Sequence, residues 1–416
     1  MKVVIIAGGK GTRIASVASE IPKAMIPVCG KPILEYQIEL AKRYGYNEFI
    51  FIIGHLGDVI KNYFRNGDDF GCKIEYYVET SPLGTAGALA ELTDKLSEDF
   101  YVFYGDTIMD FDMKEMLRFH KENSSDATLL IHPNDHPYDS DIIEVDNNYK
   151  ITHFHNKPHP DNLVVKNLVN AALFIFSPSI LTKIKRGVKS HIEKDVLPIA
   201  LADGLKLYGY VTPEYIKDMG TPDRYSDVCE DVKSGKVARL NRDNKRPAVF
   251  LDRDGVINYE VNLLHNPNQL KLIPGAAEAI RKINKSGYLA IVVTNQPVIA
   301  RNLCSIEELE QIHDTLETLL GKEGAYLDGI FYCPHHPDKG YPEERPEFKI
   351  ECDCRKPKPG LLKKAGDRFN VDMQKSIMIG DRDTDIQAGF AAGCGKSILI
   401  ETNKPYSLLS KIAEIL

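Results

Sequence analysis

Two apolar runs of the same kind occur far apart in the chain, and they constrain its fold more than any other feature. VVIIA, residues 3–7, ends in the turn GGKGTR, and AVFL, residues 248–251, ends in DRDG. A short, fully apolar run followed by a turn is typical of a buried strand in a parallel sheet. A chain that begins such a sheet twice predicts two domains.

The length and the order of the remaining elements agree with this prediction. The chain has 416 residues, more than a typical single core contains. Strand and helix patterns alternate in both halves, which predicts α/β domains with doubly wound sheets. A polar, charged stretch that ends in proline separates the halves. We therefore predict domains at 1–235 and 248–416, joined by a linker at 236–247.

Composition limits the kinds of partner that the chain is expected to bind and the cellular compartment in which it is expected. The formal net charge is -7, and no basic stripe with interleaved aromatic residues occurs, which argues against a nucleic-acid partner. No segment approaches the length of a membrane span, and the apolar run at 3–7 is too short for a signal peptide. Most cysteines are scattered singly, as reduced thiols are. We expect a cytoplasmic protein with no membrane partner.

The first glycine-rich turn is suited to an anion. Gly8, Gly9 and Gly11 let the backbone amides approach a ligand closely, and Arg13 and Lys23 supply positive charge. A triphosphate would match these groups. For the glycine pattern alone, a plain connection between strand and helix is the alternative interpretation.

A longer pattern carries a family resemblance. GGKGTR followed by PKAMIPVCGKPILEY resembles the sugar-1-phosphate nucleotidyltransferases, and the resemblance covers about the first 225 residues. It implies a Rossmann-like domain in which Arg13 and Lys23 act on the triphosphate as catalytic residues. The segment ETSPLGTAGAL, residues 79–89, resembles the family's base-reading loop. The implied nucleotide-binding residues are Gly8, Gly9, Gly11, Thr12, Glu79, Gly84 and Thr85.

The same resemblance implies a metal site and a sugar site. Asp106 in FYGD and Asp218 in KDMGTP match magnesium carboxylates of the family, although a lone aspartate at a strand end is usually a cap. Lys157 in HNKP and Asn170 in VNAALFIF match residues that contact the sugar phosphate and the sugar. The alternatives are a surface lysine and a strand-end polar group.

The pattern departs from the family in the predicted sugar pocket. Asn156 stands where an acidic residue is common, and YDSDII, residues 138–143, stands where a glycine is frequent. The sugar is therefore expected to differ from glucose. The loop PLGTAGAL resembles mannose-type guanylyltransferases, which favours GTP as the nucleoside triphosphate.

Four motifs of the second half occur in the order found in haloacid-dehalogenase-like phosphatases. They are AVFLDRDGVIN, VVTNQ, CRKPKPG and MIGDRDTD. The resemblance implies that Asp252 attacks phosphorus and that Asp254 is the general acid and base. It places Mg²⁺ on Asp252, Asp381 and the main-chain carbonyl of Asp254. Thr294, Asn295 and Lys356 would bind the phosphate, with Lys358 as the rival lysine.

A cluster of cysteine and histidine residues predicts a second metal. Cys333 and His335 are followed, sixteen residues later, by Cys352 and Cys354, a set suited to tetrahedral, structural Zn²⁺. A disulfide is the alternative for the cysteines, and His336 is the alternative ligand to His335. The intervening loop is too polar and too rich in proline to order itself.

Together, these motifs resemble one group of phosphatases across residues 248–416. The zinc loop, DxD and CRKP motifs resemble D,D-heptose 1,7-bisphosphate phosphatases and the related histidinol-phosphate phosphatases. The heptose reading implies that Arg355 recognises substrate and that EVNLL, residues 260–264, lies at the mouth of the site. NQPVIARN, residues 295–302, departs from the family's substrate loop.

The two halves predict consecutive reactions. A phosphatase that makes heptose 1-phosphate would supply a guanylyltransferase that makes GDP-heptose, which predicts a multifunctional enzyme. Two alternatives remain open: another sugar 1-phosphate with a histidinol-phosphate-type phosphatase, or one catalytically silent half. Nucleotidyltransferases of this type often form homo-oligomers, and the sequence leaves the oligomeric state open.

Overall fold

The computed structural model describes residues 1–9, 21–340 and 342–416, and these form two compact units. The first unit comprises Met1–Ile131, Ile143–Asn156 and Asn170–Asn241. The second comprises His132–Ile142, Lys157–Val169 and Arg242–Leu416. Each unit contains a sheet with helices, so the predicted α/β class is confirmed.

The first unit is built on a nine-stranded sheet with the order β10-β9-β11-β6-β1-β4-β5, to which β8 and β12 are added beside β11. Its described strands are β1 (Val3–Ile6), β2 (Pro27–Val28), β3 (Lys31–Pro32), β4 (Glu48–Ile53), β5 (Lys73–Val78), β6 (Phe100–Tyr104), β7 (Thr107–Asp110), β8 (Ala127–His132), β9 (Ile142–Val145), β10 (Ile151–His155), β11 (Val169–Phe176), β12 (Leu207–Val211) and β13 (Tyr215–Asp218). Its described helices are α1 (Ile33–Arg43), α2 (Gly57–Phe64), α3 (Gly84–Ala90), α4 (Met113–Glu122), α5 (Leu197–Ala202), α6 (Pro222–Lys233) and α7 (Lys236–Arg239).

The apolar run at the start of the chain forms a central strand of this sheet. β1 pairs in parallel with β4 on one side and β6 on the other, and Val3, Val4 and Ile5 are fully buried. The sheet is not parallel throughout, because β11 runs antiparallel to β6 and to β9. Gly8 follows the end of β1, Glu79 follows the end of β5, and Asp106 follows the end of β6. These three strands are parallel and lie close together in the sheet.

The second unit has a five-stranded parallel sheet with the order β16-β15-β14-β17-β18. Its strands are β14 (Ala248–Leu251), β15 (Leu289–Asn295), β16 (Gly329–Cys333), β17 (Ile377–Gly380) and β18 (Lys396–Leu399). Its helices are α8 (Ala276–Ser286), α9 (Ile306–Lys322), α10 (Gly360–Phe369), α11 (Asp383–Ala392) and α12 (Ser407–Ile415). The second apolar run is thus again a central strand.

The compact units depart from the predicted domain boundaries at three places. Segments 132–142 and 157–169 belong to the second unit, where they pack against α9. At the predicted linker, α7 continues the first unit, because Val237 and Leu240 bury their side chains in its core. Of the predicted linker, only residues 242–247 belong to the second unit, where they lead into β14.

Within the described ranges, no helix combines the length and the apolar character that crossing a membrane requires.

Candidate functional site

The motif residues of the second unit meet at one edge of its sheet. Asp252 follows β14, Thr294 lies near the end of β15, and Asp381 follows β17. Because these strands are parallel, their carboxyl ends lie on the same edge, where doubly wound sheets bind ligands. Motifs up to 129 residues apart in sequence are thereby brought to one place.

Three carboxylates and one lysine form the centre of this site. Oxygen atoms of Asp252, Asp381 and Asp385 lie within 4.8 Å of one another. The Lys356 ammonium lies 2.9 Å from an oxygen of Asp252 and 2.6 Å from one of Asp385. Lys358, the rival in the sequence, lies instead 4.0 Å from Glu351 with half of its side chain exposed. The structure therefore places Lys356, and not Lys358, in the site.

The carboxylate of Asp381 has the environment that a divalent cation would satisfy. Its side chain is 1% exposed, and among the described residues neither oxygen has a hydrogen-bond partner. Burial raises the pKa of Asp381. A buried carboxylate without a donor is costly, whereas three converging carboxylates are a ligand set that Mg²⁺ prefers. The residues present therefore fit the predicted magnesium.

The charges of Asp252 and Lys356 depend on each other. Burial raises the pKa of Asp252 to about 6, although the neighbouring Lys356 acts in the opposite direction. Burial alone lowers the pKa of Lys356, but the carboxylates of Asp252 and Asp385 outweigh it and raise the pKa above its usual value. Lys356 is thus charged, and its charge favours the ionised form of Asp252 that a nucleophile requires.

Asp254 is held by a different set of donors. Arg253, which is fully buried, donates to both Asp254 oxygens at 2.8–3.1 Å, and Asn258 and Gln296 donate at 2.8 and 2.9 Å. Burial by itself raises the pKa of Asp254, but the Arg253 guanidinium outweighs it and the pKa lies below its usual value. Asp254 is therefore ionised in this arrangement.

A cavity opens over these groups and contains most of the predicted phosphatase residues. Thr294 accepts a hydrogen bond from Gln296 at 2.9 Å, and Asn295 bonds the main chain of Lys356 through both its amide atoms. The Arg355 guanidinium donates to the carbonyl of His335 at 3.1 Å. The cavity is lined by Asp252, Asp254, Glu260, Asn262, Leu263, Leu264, Thr294, Asn295, Gln296, Pro297, Val298, Arg301, His336, Arg355, Lys356, Arg382, Asp383, Thr384 and Asp385. The segment 260–264 thus lies at the cavity.

The four predicted zinc ligands converge beside the end of β16. The sulfur of Cys354 lies 3.2 Å from those of Cys333 and Cys352, and His335 Nδ1 lies 3.3 Å from Cys354 Sγ. All cysteines in the described residues are free, so no disulfide forms. His336 turns away, with Nδ1 3.5 Å from Asp338. A set of three thiols and one imidazole within 4.8 Å of one another fits tetrahedral Zn²⁺.

The thiols of this cluster have unequal proton affinities. Hydrogen bonding to Cys333 lowers the pKa of Cys354 to about 5, and the same contact raises the pKa of Cys333. The contact therefore favours the thiolate of Cys354, and thiolates are the form that binds zinc.

Three residues of the phosphatase site were not singled out from the sequence. Asp385 is the last acid of MIGDRDTD, Gln296 follows VVTN, and Arg253 lies between the two motif aspartates. Each lies within or next to a quoted motif, and this position beside motif residues is the only sequence signal that could have pointed to it. What the motif does not reveal is direction, since only the fold turns Asp385 towards Lys356 and Arg253 towards Asp254.

In the first unit, the described part of the predicted nucleotide site is small and closely packed. Gly8 lies against Glu79, whose Oε2 would be 2.4 Å from a Cβ at position 8. Glu79 accepts a hydrogen bond from the amide of Leu83 at 3.0 Å, and burial raises its pKa. Gly84 has φ +78 and would place a Cβ 2.3 Å from the carbonyl of Ser190, so only glycine fits there. Thr85 accepts from the amide of Ile192 at 2.9 Å.

The predicted metal and phosphate residues of the first unit are partly brought together. The Lys23 ammonium forms an ion pair with Asp106. Asp218 lies on the strand that pairs with β7, and the amide of the next residue, Met219, donates to the carbonyl of Asp106. The carboxylate of Asp218 itself pairs with Arg224 at 2.6 Å. Gly11, Thr12 and Arg13 lie outside the described residues.

The two predicted sugar-binding residues lie at different positions in the structure. Asn170, at the start of β11, accepts a hydrogen bond from the amide of Ala172 at 3.1 Å. Lys157 belongs to the second unit, where its ammonium donates to the carbonyl of Asp139 at 2.6 Å. Their roles in sugar binding stay predictions.

Comparison with protein families identifies both halves of the chain. The family described as nucleotidyl transferase matches residues 2–235, and the family described as HAD-hydrolase-like matches residues 353–408. The predicted combination of a nucleotidyltransferase with a haloacid-dehalogenase-like phosphatase is therefore confirmed. Transferase and phosphatase activities imply a nucleotide and a sugar phosphate as substrates.

A curated relative and a solved structure each align with part of the chain. D-glycero-beta-D-manno-heptose-1,7-bisphosphate 7-phosphatase of Vibrio cholerae is 44% identical over 160 residues, which are 38% of this chain and 84% of the relative. The crystal structure of HddC from Yersinia pseudotuberculosis complexed with GMP-PN is 27% identical and aligns with 56% of this chain and 99% of its own, with a TM-score of 0.48.

A putative glucose-1-phosphate thymidylyltransferase from Bacillus anthracis aligns with 55% of this chain and 94% of its own. Its TM-score is 0.50 at 21% identity, a likeness that concerns the fold alone. The family matches and the Vibrio relative, in contrast, fit the predicted bifunctional enzyme. The chain belongs to the nucleotidyl transferase family through residues 2–235, and its haloacid-dehalogenase-like part belongs with the D-glycero-beta-D-manno-heptose-1,7-bisphosphate 7-phosphatases.

Proposed function

We propose that the chain catalyses two consecutive steps in the activation of a heptose. The phosphatase half, residues 248–416, removes the 7-phosphate of D-glycero-D-manno-heptose 1,7-bisphosphate. The transferase half, residues 1–235, then converts heptose 1-phosphate and a nucleoside triphosphate, with GTP favoured, into GDP-heptose and pyrophosphate. The observation that carries the proposal is the resemblance to heptose bisphosphate phosphatases over 84% of their length, in a chain that is also a nucleotidyl transferase.

The phosphatase residues suit a reaction in two halves. An oxygen of Asp252 attacks the phosphorus of the 7-phosphate, and the bond from phosphorus to the sugar oxygen breaks. Asp254 donates a proton to that oxygen. Water then attacks the aspartyl phosphate, Asp254 takes a proton from the water, and inorganic phosphate leaves.

The surroundings of Asp254 favour its role as a base. Arg253 keeps the carboxylate ionised, so acting as an acid requires Asp254 to take up a proton against this partner. Thr294, Asn295 and Lys356 lie around Asp252, where they would bind the phosphoryl oxygens. Asp252, Asp381 and Asp385 would hold Mg²⁺, which when bound screens the repulsion between a carboxylate nucleophile and a phosphate dianion.

In the transferase reaction, two anions must meet. A phosphate oxygen of the sugar 1-phosphate attacks the α-phosphorus of GTP, and the bond to the β-phosphate oxygen breaks as pyrophosphate leaves. Lys23 is placed beside Asp106, and we propose that both act on the triphosphate, with Arg13 and with Asp218 as a second magnesium ligand. Gly8, Glu79, Gly84 and Thr85 would surround the nucleotide.

The cluster of Cys333, His335, Cys352 and Cys354 is proposed to hold a structural Zn²⁺. Four protein ligands leave no position for a substrate, which separates this site from the catalytic one. Free cysteines support a location in the reducing cytoplasm. A homo-oligomer is compatible with the proposal, and neither reaction depends on it.

The proposal is tested by supplying the purified chain with heptose 1,7-bisphosphate, Mg²⁺ and one nucleoside triphosphate at a time. Phosphate, pyrophosphate and nucleotide-sugar are followed by mass, with both anomers of the bisphosphate compared. We expect phosphate release in every mixture and a nucleotide-sugar with GTP. Histidinol phosphate serves as the control substrate.

Each contrary result points to a different error. Phosphate without any nucleotide-sugar would contradict the transferase substrate. Faster hydrolysis of histidinol phosphate than of heptose bisphosphate would contradict the phosphatase substrate. A nucleotide-sugar formed equally from all triphosphates would contradict the preference for GTP.

A further inference from the structure

The residues on either side of Arg301 are held by one residue of another loop. Arg301 lies in the turn 297–302 that follows β15, and Arg345 lies in the loop that contains the proposed zinc ligands. The amide of Arg345 donates to the carbonyl of Ala300 at 3.0 Å, and its Nε donates to Asn302 Oδ1 at 2.9 Å. Arg345 therefore bonds to the residue before Arg301 and to the residue after it.

Asn302 joins the two loops through both atoms of its amide group. Besides accepting from Arg345, it donates through Nδ2 to the carbonyl of Glu343 at 3.1 Å. Its backbone has φ +55, in the left-handed region, which asparagine tolerates better than most residues do. Glycine takes the same conformation freely, but it would make neither of these side-chain bonds. The asparagine thus contributes a link between the loops as well as a turn.

Main-chain hydrogen bonds order the turn that contains Arg301. Its amide donates to the carbonyl of Pro297 at 2.9 Å, and the amide of Asn302 donates to the carbonyl of Ile299 at 3.0 Å. Ile299 and Ala300 are fully buried. Because the turn is both bonded and partly buried, a bond to one of its residues also restricts the backbone of Arg301.

The segment that contains Arg345 is fixed as well. The amide of Phe348 donates to the carbonyl of Arg345 at 3.2 Å, which closes a short turn. The carbonyl of Phe348 accepts from the amide of His336 at 3.1 Å. In the same segment, the buried Lys349 forms an ion pair with Glu344. Arg345 therefore has a defined position from which to hold the other loop.

Arg301 lines the catalytic cavity and has a donor that no protein group satisfies. In the part of the chain that the structure describes, its buried Nε has no hydrogen-bond partner. Two other arginines line this cavity, and both are bonded to protein acceptors: Arg355 donates to the carbonyl of His335, and Arg382 donates to Glu260 at 3.0 Å. A buried donor without an acceptor is costly, and a phosphate oxygen of a ligand would satisfy it.

The proposed substrate carries a second phosphate that such an arginine would bind. The 7-phosphate is cleaved at Asp252 beside Lys356, so the 1-phosphate must lie elsewhere in the cavity. Guanidinium groups bind phosphate strongly and with defined geometry. Ordering a long side chain on binding costs conformational entropy, and a backbone that is already fixed reduces this cost.

We propose that Asn302 and Arg345 position Arg301 to bind the phosphate of the substrate that is not cleaved. We call the bonds from Arg345 to Ala300 and Asn302, together with the bond from Asn302 to Glu343, the loop link. Asn302 and Arg345 are positioning residues, because they act through Arg301 and are not among the residues that line the cavity. The inference rests on the proposed function, since the 1-phosphate belongs to the proposed substrate.

The test compares heptose 1,7-bisphosphate with heptose 7-phosphate as substrates of the full chain carrying Asn302→Gly. Glycine keeps the backbone conformation and removes both side-chain bonds. We expect the KM for the bisphosphate to rise about fivefold, and the KM for heptose 7-phosphate and both kcat values to change less than about twofold. Amide hydrogen exchange of residues 297–302 is expected to accelerate, a readout that needs no substrate.

A double substitution decides whether the loop link acts through Arg301. Arg301→Met should raise the KM for the bisphosphate by itself, and adding Asn302→Gly should then raise it no further. Arg345→Met removes the link from the other loop and should reproduce the effect of Asn302→Gly. A further rise in the double variant, an equal rise for both substrates, or an unchanged KM in the folded single variants would overturn the inference.

Asn370→Gly is the matched control. Asn370 has φ +49 at the end of α10, and its side chain donates to the carbonyl of Arg242 at 2.8 Å. Neither of these two residues lines the cavity. The control thus loses an asparagine in the same backbone conformation and should keep both KM values. If Asn302→Gly fails to fold, Arg345→Met takes its place in the test.

Failure of the proposed function looks different. In that case the wild-type chain releases phosphate from neither heptose. Equal KM values of the wild type for the two heptoses would instead overturn the inference and leave the proposed function standing. The exchange measurement decides separately whether Asn302 holds the turn, and unchanged exchange in Asn302→Gly would overturn that step by itself.

Discussion

Lys356 and Lys358 show how two similar residues in one motif come to lie in different environments. The side chain of Lys356 is 1% exposed between Asp252 and Asp385, whereas that of Lys358 is 49% exposed. Removing a buried cation leaves two carboxylates facing each other without compensation, which typically costs about 3–5 kcal/mol. An exposed ion pair contributes about 0–1 kcal/mol. The two lysines therefore differ in burial and in their charged neighbours, although the residue type is the same.

We therefore expect Lys356→Met to lower the phosphatase kcat/KM by at least about 100-fold and to destabilise the second unit. Lys358→Met, the matched control, should keep phosphatase activity within about twofold. Phosphate release is measured at a temperature where both variants are folded, as checked by circular dichroism. The reverse order of the two effects would show that the wrong lysine was assigned.

At the scale of elements, the loop from Cys333 to Cys354 contains the four proposed zinc ligands. It connects the buried end of β16 to Arg355 and Lys356, which line the cavity, and its only helical element in the described residues is the three-residue turn Pro346–Phe348. A loop of this kind has little apolar surface of its own with which to offset its conformational entropy. The proposed Zn²⁺ on these ligands would supply the missing stabilisation.

Removing zinc with a chelator, or replacing Cys352 by Ser, is expected to lower the Tm of the second unit by about 5 °C or more. The unfolding of the first unit should not shift. Calorimetry and metal analysis of the purified protein measure these effects, and Cys394→Ser is the control for loss of a thiol outside the cluster. Finding no zinc in the fully active protein would refute the ligand assignment.

Helix α9 contains a carboxyl group whose titration affects stability. Burial raises the pKa of Glu317 from its usual 4.5 to about 7. The folded unit therefore binds this proton more tightly than the unfolded chain does. The resulting stabilisation is complete below about pH 4.5 and is lost as the pH rises through about 7.

Glu317→Gln should accordingly remove a pH dependence on the order of 2 kcal/mol between pH 5 and pH 8. Urea unfolding of the second unit is measured at both pH values, and the wild type should lose more stability than the variant. Glu323→Gln, at the exposed end of the helix, is the control. A variant with the same pH dependence as the wild type would exclude Glu317 as the titrating group.

At the scale of the whole molecule, the proposed reactions use separate residues. The groups around Asp252 all lie in the second unit, and those around Lys23 and Asp106 lie in the first. The two activities should therefore be separable by single substitutions, although the product of one is the substrate of the other.

Asp252→Asn is expected to lower phosphate release at least about 1,000-fold, because an amide cannot act as the nucleophile. Heptose 1,7-bisphosphate with GTP should then give no nucleotide-sugar. Added heptose 1-phosphate should restore its formation to within about twofold of the wild-type rate. Asp338→Asn, in an exposed loop, is the control. Loss of both activities in Asp252→Asn would contradict two separate sites.

The sequence by itself determined the α/β class of both halves and the central strand of each main sheet, and it predicted the candidate site residues. Asp252, Thr294, Lys356 and the four cysteine and histidine ligands could be named because each lies in a short motif. A short motif shows where a strand ends and how ligands are spaced. Both depend only on residues that are close together in the sequence.

Only the tertiary structure decided which side chains contact one another and which distant segments of the sequence lie together. It turned Asp385 towards Lys356, buried Arg253 against Asp254, and chose His335 over His336. It also placed segments 132–142 and 157–169 on α9, whereas the sequence order assigned them to the other half. Side-chain direction and the pairing of distant segments depend on how burial and hydrogen bonds are satisfied in the folded chain, and no local pattern records that outcome.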